Sequence, residues 1–316
     1  MPCRLSLNER TSIMEMRTRI YPKMLNSEVQ EYLSRNDIII VPVGTIEMHG
    51  GFPLDVETVT SEAIALKMAE ACDGLVLTGL PYFYAGATAS GRSTVQVSIR
   101  EGIDYLGAIA RNLLRIGFKR QIYISFHGPA HMTISPMVRD FYDETGVPIL
   151  YMDMAMQVFS HARDLFMTDT LSSDPNKKVM NNAQDFSAAL EFVRRQNAIF
   201  IGSYDVFGRL EDVPLTTEYD SMKPQSSAQF NDIFNLAYQS GAVGYCFGKD
   251  EDHGATPALP DEKTRREYAD LGVELINKLV ERFNMPHVVE QMRKLEAYGK
   301  DNESKYPWMP AAWNNR

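Results

Sequence analysis

Glu47 and His49 stand two residues apart in Val41-Pro42-Val43-Gly44-Thr45-Ile46-Glu47-Met48-His49-Gly50-Gly51, just after an apolar run that reads as a strand. Glu57 follows in Pro53-Leu54-Asp55-Val56-Glu57-Thr58, and His127 ends a second apolar run in Tyr123-Ile124-Ser125-Phe126-His127-Gly128-Pro129. Two carboxylates and two imidazoles form a donor set suited to Zn²⁺, Mn²⁺ or Fe²⁺. If the chain stays extended through 47–49, both side chains point to one side. Gly50 and Gly51 then let backbone pass close to an ion or ligand. A cation held there would lower the pKa of water towards ~7 and make hydroxide available near neutrality. The plainer readings are a Glu47 paired with a lysine and a His127 satisfied inside a core.

The elements that must position these residues alternate in type. Ile38 to Val43 is a continuous apolar run, as expected of a strand buried on both faces. Thr58 or Thr60 can cap a helix whose Ile64, Met68 and Cys72 form one stripe, with Glu57 just before it. Leu75–Thr78, Gln121–Phe126 and Val147–Met152 read as further strands, and the segments 103–113 and 134–142 as helices between them. Repeated βα alternation predicts an α/β fold, a mostly parallel central sheet flanked by helices on both faces. In such sheets ligands bind beyond the C-terminal strand ends, where Glu47, His49 and His127 fall. Ala183–Arg195 reads as a helix and Ala198–Gly202 as a strand, within a stretch from about 160 to 224 expected to be an insertion or lid. Asp261 caps a long helix carrying Tyr268, Leu271, Leu275 and Leu279. The resulting division is an extension at 1–24, a single hydrolase domain at 25–290 and a tail at 291–316. That tail holds both tryptophans, Trp308 and Trp313.

Composition narrows the class. A chain of 316 residues has ample core for one large domain or two small ones. A net charge of −9 with no lysine or arginine cluster disfavours nucleic acid as a partner. Cys3, Cys72 and Cys246 have neither disulfide-framework nor zinc-finger spacing, which fits a reducing cytoplasm. No run approaches the ~18 apolar residues of a membrane span, and the N-terminus lacks the apolar stretch of a signal peptide. The partner expected is a small-molecule substrate, with neither membrane nor nucleic acid.

The sequence resembles the creatininase family, the creatinine amidohydrolases. The family's first signature runs roughly P-V-G-S-x-E-Q-H-G-P-H-L-P-L-x-T-D, and residues 42–58 follow it with a one-residue contraction. Pro81–Thr88 and Ser93–Ser98 sit where a P-x-x-x-G-x-S loop and a G-T-x-S segment belong. Gly117-Phe118-Lys119-Arg120 through His127-Gly128-Pro129-Ala130 occupies a third signature, and Ala255-Thr256 with Glu262–Arg265 resembles a fourth more loosely. The resemblance implies an α/β hydrolase with a centre of one or two divalent ions, Zn, Mn or Fe. It also implies a homo-oligomer, a hexamer in many members. Glu47, His49 and His127 would be ligands, and Glu57 would replace the usual bridging aspartate, with Asp55 as its rival.

The departures carry information too. Ser125-Phe126 replaces the usual Asn-Gly before the histidine, and Pro129 stands where creatininase has a glutamate ligand. The family's H-A-G-x-x-E-T-S segment has no clear counterpart between Ala155 and Phe200. Three readings stay open. Glu251 or Glu218 fills the second metal position; His131 or His253 replaces the missing acid–base histidine; or one metal is bound. Arg92 is a candidate for holding an anionic or hydroxyl-rich substrate, and Tyr82, Tyr84 and Phe126 for lining its pocket. Related members open cyclic amides, remove formyl groups or cleave an inositol-derived ring diketone. A β-diketone leaves as a stabilised enolate and depends less on a proton donor to an amine. The missing segment therefore favours ring opening of a cyclitol or carbohydrate diketone such as a dehydro-inosose, a step of inositol catabolism. The alternatives are a creatininase-type amidohydrolase acting on a cyclic amide or formamide, and a catalytically silent metal-binding scaffold subunit.

Overall fold

Five consecutive buried residues, Ile38–Pro42, form the strand β1 at the centre of the molecule. In the computed structural model, which describes residues 16–166, 183–218, 230–234, 236, 243–248 and 254–306, β1 follows helix α1 (Asn26–Leu33) and precedes α2 (Val56–Cys72). The order continues β2 (Leu75–Val76), α3 (Ile99–Ile116), β3 (Arg120–Ser125), α4 (His131–Thr145), β4 (Leu150–Asp153) and α5 (Met154–His161). Then come α6 (Arg163–Phe166), α7 (Ala183–Val206), α8 (Asn231–Phe234), α9 (Glu262–Phe283) and α10 (Met285–Lys305).

The sheet has the order β2-β1-β3-β4 and every pairing in it is parallel. Alternation along β1 sends Ile38 and Ile40 to one core and Ile39 and Val41 to the other. On the first side lie Ile64 and Met68 of α2, Ile199 and Phe200 of α7, Ile276 and Leu279 of α9 and Met285 of α10. On the other lie Leu106 and Ala110 of α3, Ile134 and Phe141 of α4 and Tyr32 of α1. The α/β architecture expected from the apolar pattern is the one observed, with helices covering both faces.

Several local expectations change. Helix α2 starts at Val56, so Glu57 lies inside its first turn rather than before it. Thr58 cannot act as the cap because its hydroxyl donates to the Thr45 carbonyl across the turn, at 2.8 Å. That approach needs Gly44, since a Cβ there would fall 2.6 Å from Thr58 Cα. Ala198–Gly202 is not a strand but the buried part of α7. Its apolar run is as consistent with a buried helix as with a strand, and periodicity cannot separate the two. Within the stretch expected to be an insertion or lid, α7 packs tightly on α9 through paired glycines: a Cβ on Gly202 would lie 2.7 Å from Val273 N. Helix α10 runs unbroken through the boundary drawn at 290/291 and buries Met292. Residues 19–20, assigned to an extension, join the sheet edge, where Val76 N–H donates to the Arg19 carbonyl at 2.8 Å and Ile20 bridges Val76. Trp308 and Trp313, like Glu251 and His253, lie outside the described residues. Among the described residues no helix is long and apolar enough to cross a membrane.

Candidate metal centre

Three elements deliver the site. The loop after β1 carries Glu47 and His49, the first turn of α2 carries Glu57, and His127 follows the end of β3. All four are buried, each no more than 5% exposed. Each of Glu47, Glu57 and His127 offers a ligand atom, and these atoms all lie within 4.8 Å of one another. His127 Nδ1 is 2.5 Å from Glu57 Oε2 and 3.0 Å from Glu47 Oε1. His49 stands beside them, with Nε2 3.8 Å from Glu57 Oε1.

Local contacts explain the convergence. Ser61, one turn after Glu57 on α2, donates to the Glu57 carbonyl at 2.8 Å and accepts from Phe126 N–H at 2.9 Å. One hydroxyl thus ties the start of α2 to the end of β3, holding Glu57 against His127. His127 Nε2 lies 3.0 Å from the Tyr84 carbonyl oxygen, so that nitrogen carries the hydrogen and Nδ1 faces the acids. The His49 ring meets Phe200 of α7 edge-on at 5.0 Å and Phe52 at 6.0 Å. Gly254 closes over the same ring: a Cβ there would fall 2.6 Å from His49 Nδ1, and its φ of +93° is itself a glycine conformation. Thr256 accepts from Gly51 N–H at 2.6 Å and pins the loop from far along the chain.

So tight a cluster shifts the titration of its own members. Burial pushes the Glu47 carboxyl above its usual value, and Glu57 adds to the rise while His127 opposes it. Burial disfavours protonation of His127, but Glu47 and Glu57 outweigh it and raise its pKa well above the ordinary imidazole value. One Nδ1–H cannot serve two carboxylates. Its hydrogen goes to Glu57, which leaves Glu47 Oε1 close by yet without a hydrogen bond. A buried carboxylate oxygen in that condition is costly unless a cation or a proton meets it. The donor set of two carboxylates and an imidazole fits a divalent ion.

The other residues singled out from the sequence make contacts of their own. Asp55, the rival of Glu57, accepts from Tyr204 Oη at 2.6 Å and from Arg209 Nη2 at 3.2 Å, in a separate network. His131 opens α4 and its Nδ1 donates to the Gly128 carbonyl at 2.9 Å. Arg92 is exposed in the turn after the 3₁₀ segment Gly86–Ser90, and Glu218 is exposed beside Thr216. Tyr82 is exposed, whereas Phe126 is buried against Phe200 at 5.7 Å and lines core rather than pocket. Sequence reasoning passed over Ser61, Thr88 and Phe200. Only Ser61 had a signal, four residues after Glu57 and therefore on the same helix face.

A sequence model of the creatininase family, described as creatinine amidohydrolase, matches residues 22–186. The 3-dehydro-scyllo-inosose hydrolase of Thermotoga maritima is 32% identical over 122 residues, 36% of this chain. The match spans only 38% of the length of that curated relative. Among solved structures, a manganese form of creatininase superimposes with a TM-score of 0.55 at 15% identity, covering 87% of this chain and 99% of the other. A creatininase variant in a Zn–Zn form gives 0.51 at 14% identity, covering 83% and 97%. These two likenesses show the fold.

Proposed function

This chain belongs to the creatininase family, and on that footing we propose that it is a metal-dependent hydrolase of a small cyclic carbonyl compound, acting by ring opening of a cyclitol diketone of the dehydro-inosose type. The observation that carries the proposal is the convergence of Glu47, Glu57 and His127 at the strand ends. These three residues would hold the ion, with His49 next to it. When bound, a divalent cation such as Zn²⁺ or Mn²⁺ supplies a Lewis acid that polarises a carbonyl and makes water acidic enough to furnish hydroxide near neutrality. The protein's own part is orientation. The Tyr84 carbonyl fixes the His127 tautomer, Ser61 locks Glu57 to β3, and Phe52, Phe126 and Phe200 keep water from the inner side of the site.

Two observations support the diketone within this family. The curated relative that matches residues of this chain at 32% identity is named for that activity. In addition, the resemblance of the His127 segment to the family signature implies that Pro129 stands at a creatininase ligand position, and Pro129 packs against Gly86, where a Cβ would come within 3.0 Å of its ring. Cleavage of a β-diketone expels a carbon that is stabilised as an enolate, so no acid need be positioned to protonate an amine. The creatininase-type amidohydrolase is the second reading, favoured by the family description itself.

The test is incubation of protein loaded with Zn²⁺ or Mn²⁺ with a dehydro-inosose, creatinine and a formylamino compound, followed by mass spectrometry. Gain of one water by the dehydro-inosose alone is expected, and Glu57→Gln should abolish it. Turnover of only an amide would transfer the assignment to the second reading. No turnover of any carbonyl substrate by metal-loaded protein would favour a silent scaffold.

A further inference from the structure

Thr88 lies in the 3₁₀ segment Gly86–Ser90, 41 residues from Glu47 in sequence, and is only 2% exposed. Its hydroxyl meets Glu47 Oε2 in a short hydrogen bond, while the Ala85 carbonyl stands 3.1 Å away as a second acceptor. A threonine hydroxyl has one hydrogen to give. The carboxylate is the stronger acceptor, so the hydrogen goes to Glu47. The two oxygens of Glu47 therefore have different roles: Oε2 is held by Thr88, and Oε1 faces His127 at 3.0 Å without a hydrogen bond.

The loop that presents Thr88 is itself anchored on three sides. Ala85 N–H donates to Gln96 Oε1 at 2.7 Å, Gly91 N–H to the Thr88 carbonyl at 2.9 Å, and Phe247 N–H to the Ala87 carbonyl at 2.9 Å. A hydroxyl set by that many contacts cannot follow a carboxylate that rotates, so the carboxylate is held instead.

We propose that Thr88 is a positioning residue for the metal centre: it binds Glu47 Oε2 so that Oε1 is offered to a divalent cation as a single, fixed donor. This rests on the reading of Glu47, Glu57 and His127 as a cation site. Partners of this kind, one step back from a ligand, typically contribute 10- to 100-fold to metal affinity.

The experiment is a titration of the metal-free full chain with Zn²⁺ in competition with a chromophoric chelator, run on the wild type, Glu47→Gln, Thr88→Val and Thr88→Ser, with the melting temperature of each apo protein recorded. Glu47→Gln should lose Zn²⁺ binding. Thr88→Val should bind roughly 10- to 100-fold more weakly, and Thr88→Ser should return to about threefold of wild type because it keeps the hydroxyl. If Thr88→Val does not fold, Thr88→Ala takes its place with the same expectation. Equal affinity in wild type and Thr88→Val, with Glu47→Gln defective, would overturn the role of Thr88 and leave the site intact. Weak binding by Thr88→Ser as well as Thr88→Val would also overturn it, since packing rather than the hydroxyl would then matter. Equal affinity in wild type and Glu47→Gln would remove the site itself.

Discussion

Loading the centre with a cation must displace a proton, and the size of that effect follows from the geometry. His127 Nε2 is committed to the Tyr84 carbonyl, and Nδ1 lies between Glu57 and Glu47 at 2.5 and 3.0 Å. Both nitrogens therefore carry hydrogens in the metal-free protein, and the ring is an imidazolium whose pKa the two acids hold well above 6.5 against the opposing effect of burial. A cation bound through Nδ1 requires that hydrogen to leave. At least one proton leaves per ion, from His127 and, below about 7, also from Glu47, so the affinity changes by at least about tenfold, or ~1.4 kcal/mol, per pH unit there. The dissociation constant for Zn²⁺ should therefore fall as pH rises towards the raised His127 value, most steeply below about 7, where Glu47 also gives up a proton. Titration calorimetry in buffers of different ionisation enthalpy reads the released proton directly.

The metal-free protein should show the mirror image. His127 gains affinity for its proton on folding, so its contribution to stability is complete below the unfolded value near 6.5 and is lost as pH rises through the folded value. Glu47, raised above 4.5 first by burial, acts in the same direction, its share being lost as pH climbs above 4.5. The apo melting temperature should thus decline from mildly acidic to mildly alkaline pH, while that of the Zn²⁺ form should not. A Zn²⁺ affinity that does not change with pH, with no proton released, would refute the claim that His127 Nδ1 is a donor to the ion.

Three further perturbations separate neighbouring roles. Asp55→Asn should leave Zn²⁺ affinity within a few-fold of wild type, because Asp55 serves Tyr204 and Arg209, whereas Glu57→Gln should abolish binding; the same chelator competition measures both. Phe200→Ala should cost about 3–5 kcal/mol of stability in urea unfolding, since its fully buried ring touches His49, Phe52 and Phe126 together. Gly272→Ala should destabilise by at least ~1–3 kcal/mol, because the new Cβ would meet the Ala198 carbonyl group with its carbon only 2.6 Å away, forcing α7 from α9. Its chemical denaturation midpoint should fall together with Zn²⁺ affinity, as α7 carries Phe200.

Much of the molecule was legible in the order of its residues. Ile38–Pro42 is an uninterrupted apolar run and Ile122–Ile124 a shorter one inside Gln121–Ser125, and a sheet covered on both faces buries such runs completely. The parallel fold follows from their alternation with amphipathic helices, and the end of a parallel strand is where a loop residue can face a ligand. Glu47, His49 and His127 were recognisable from that rule and from the resemblance of residues 42–58 to a family signature. Tertiary structure decided the rest. Whether Asp55 or Glu57 turns inward depends on where α2 begins, and that start is set by Thr58 reaching the Thr45 carbonyl past Gly44 and by Asp55 being drawn to Tyr204, 149 residues away. The helical state of Ala198–Gly202 depends on the glycine contacts with α9, which no local pattern encodes. Thr88 and Thr256 reach the site from 41 and 205 residues along the chain. Periodicity reports which face of an element is buried; it carries no information about which distant hydroxyl or ring will meet that face once the chain has closed.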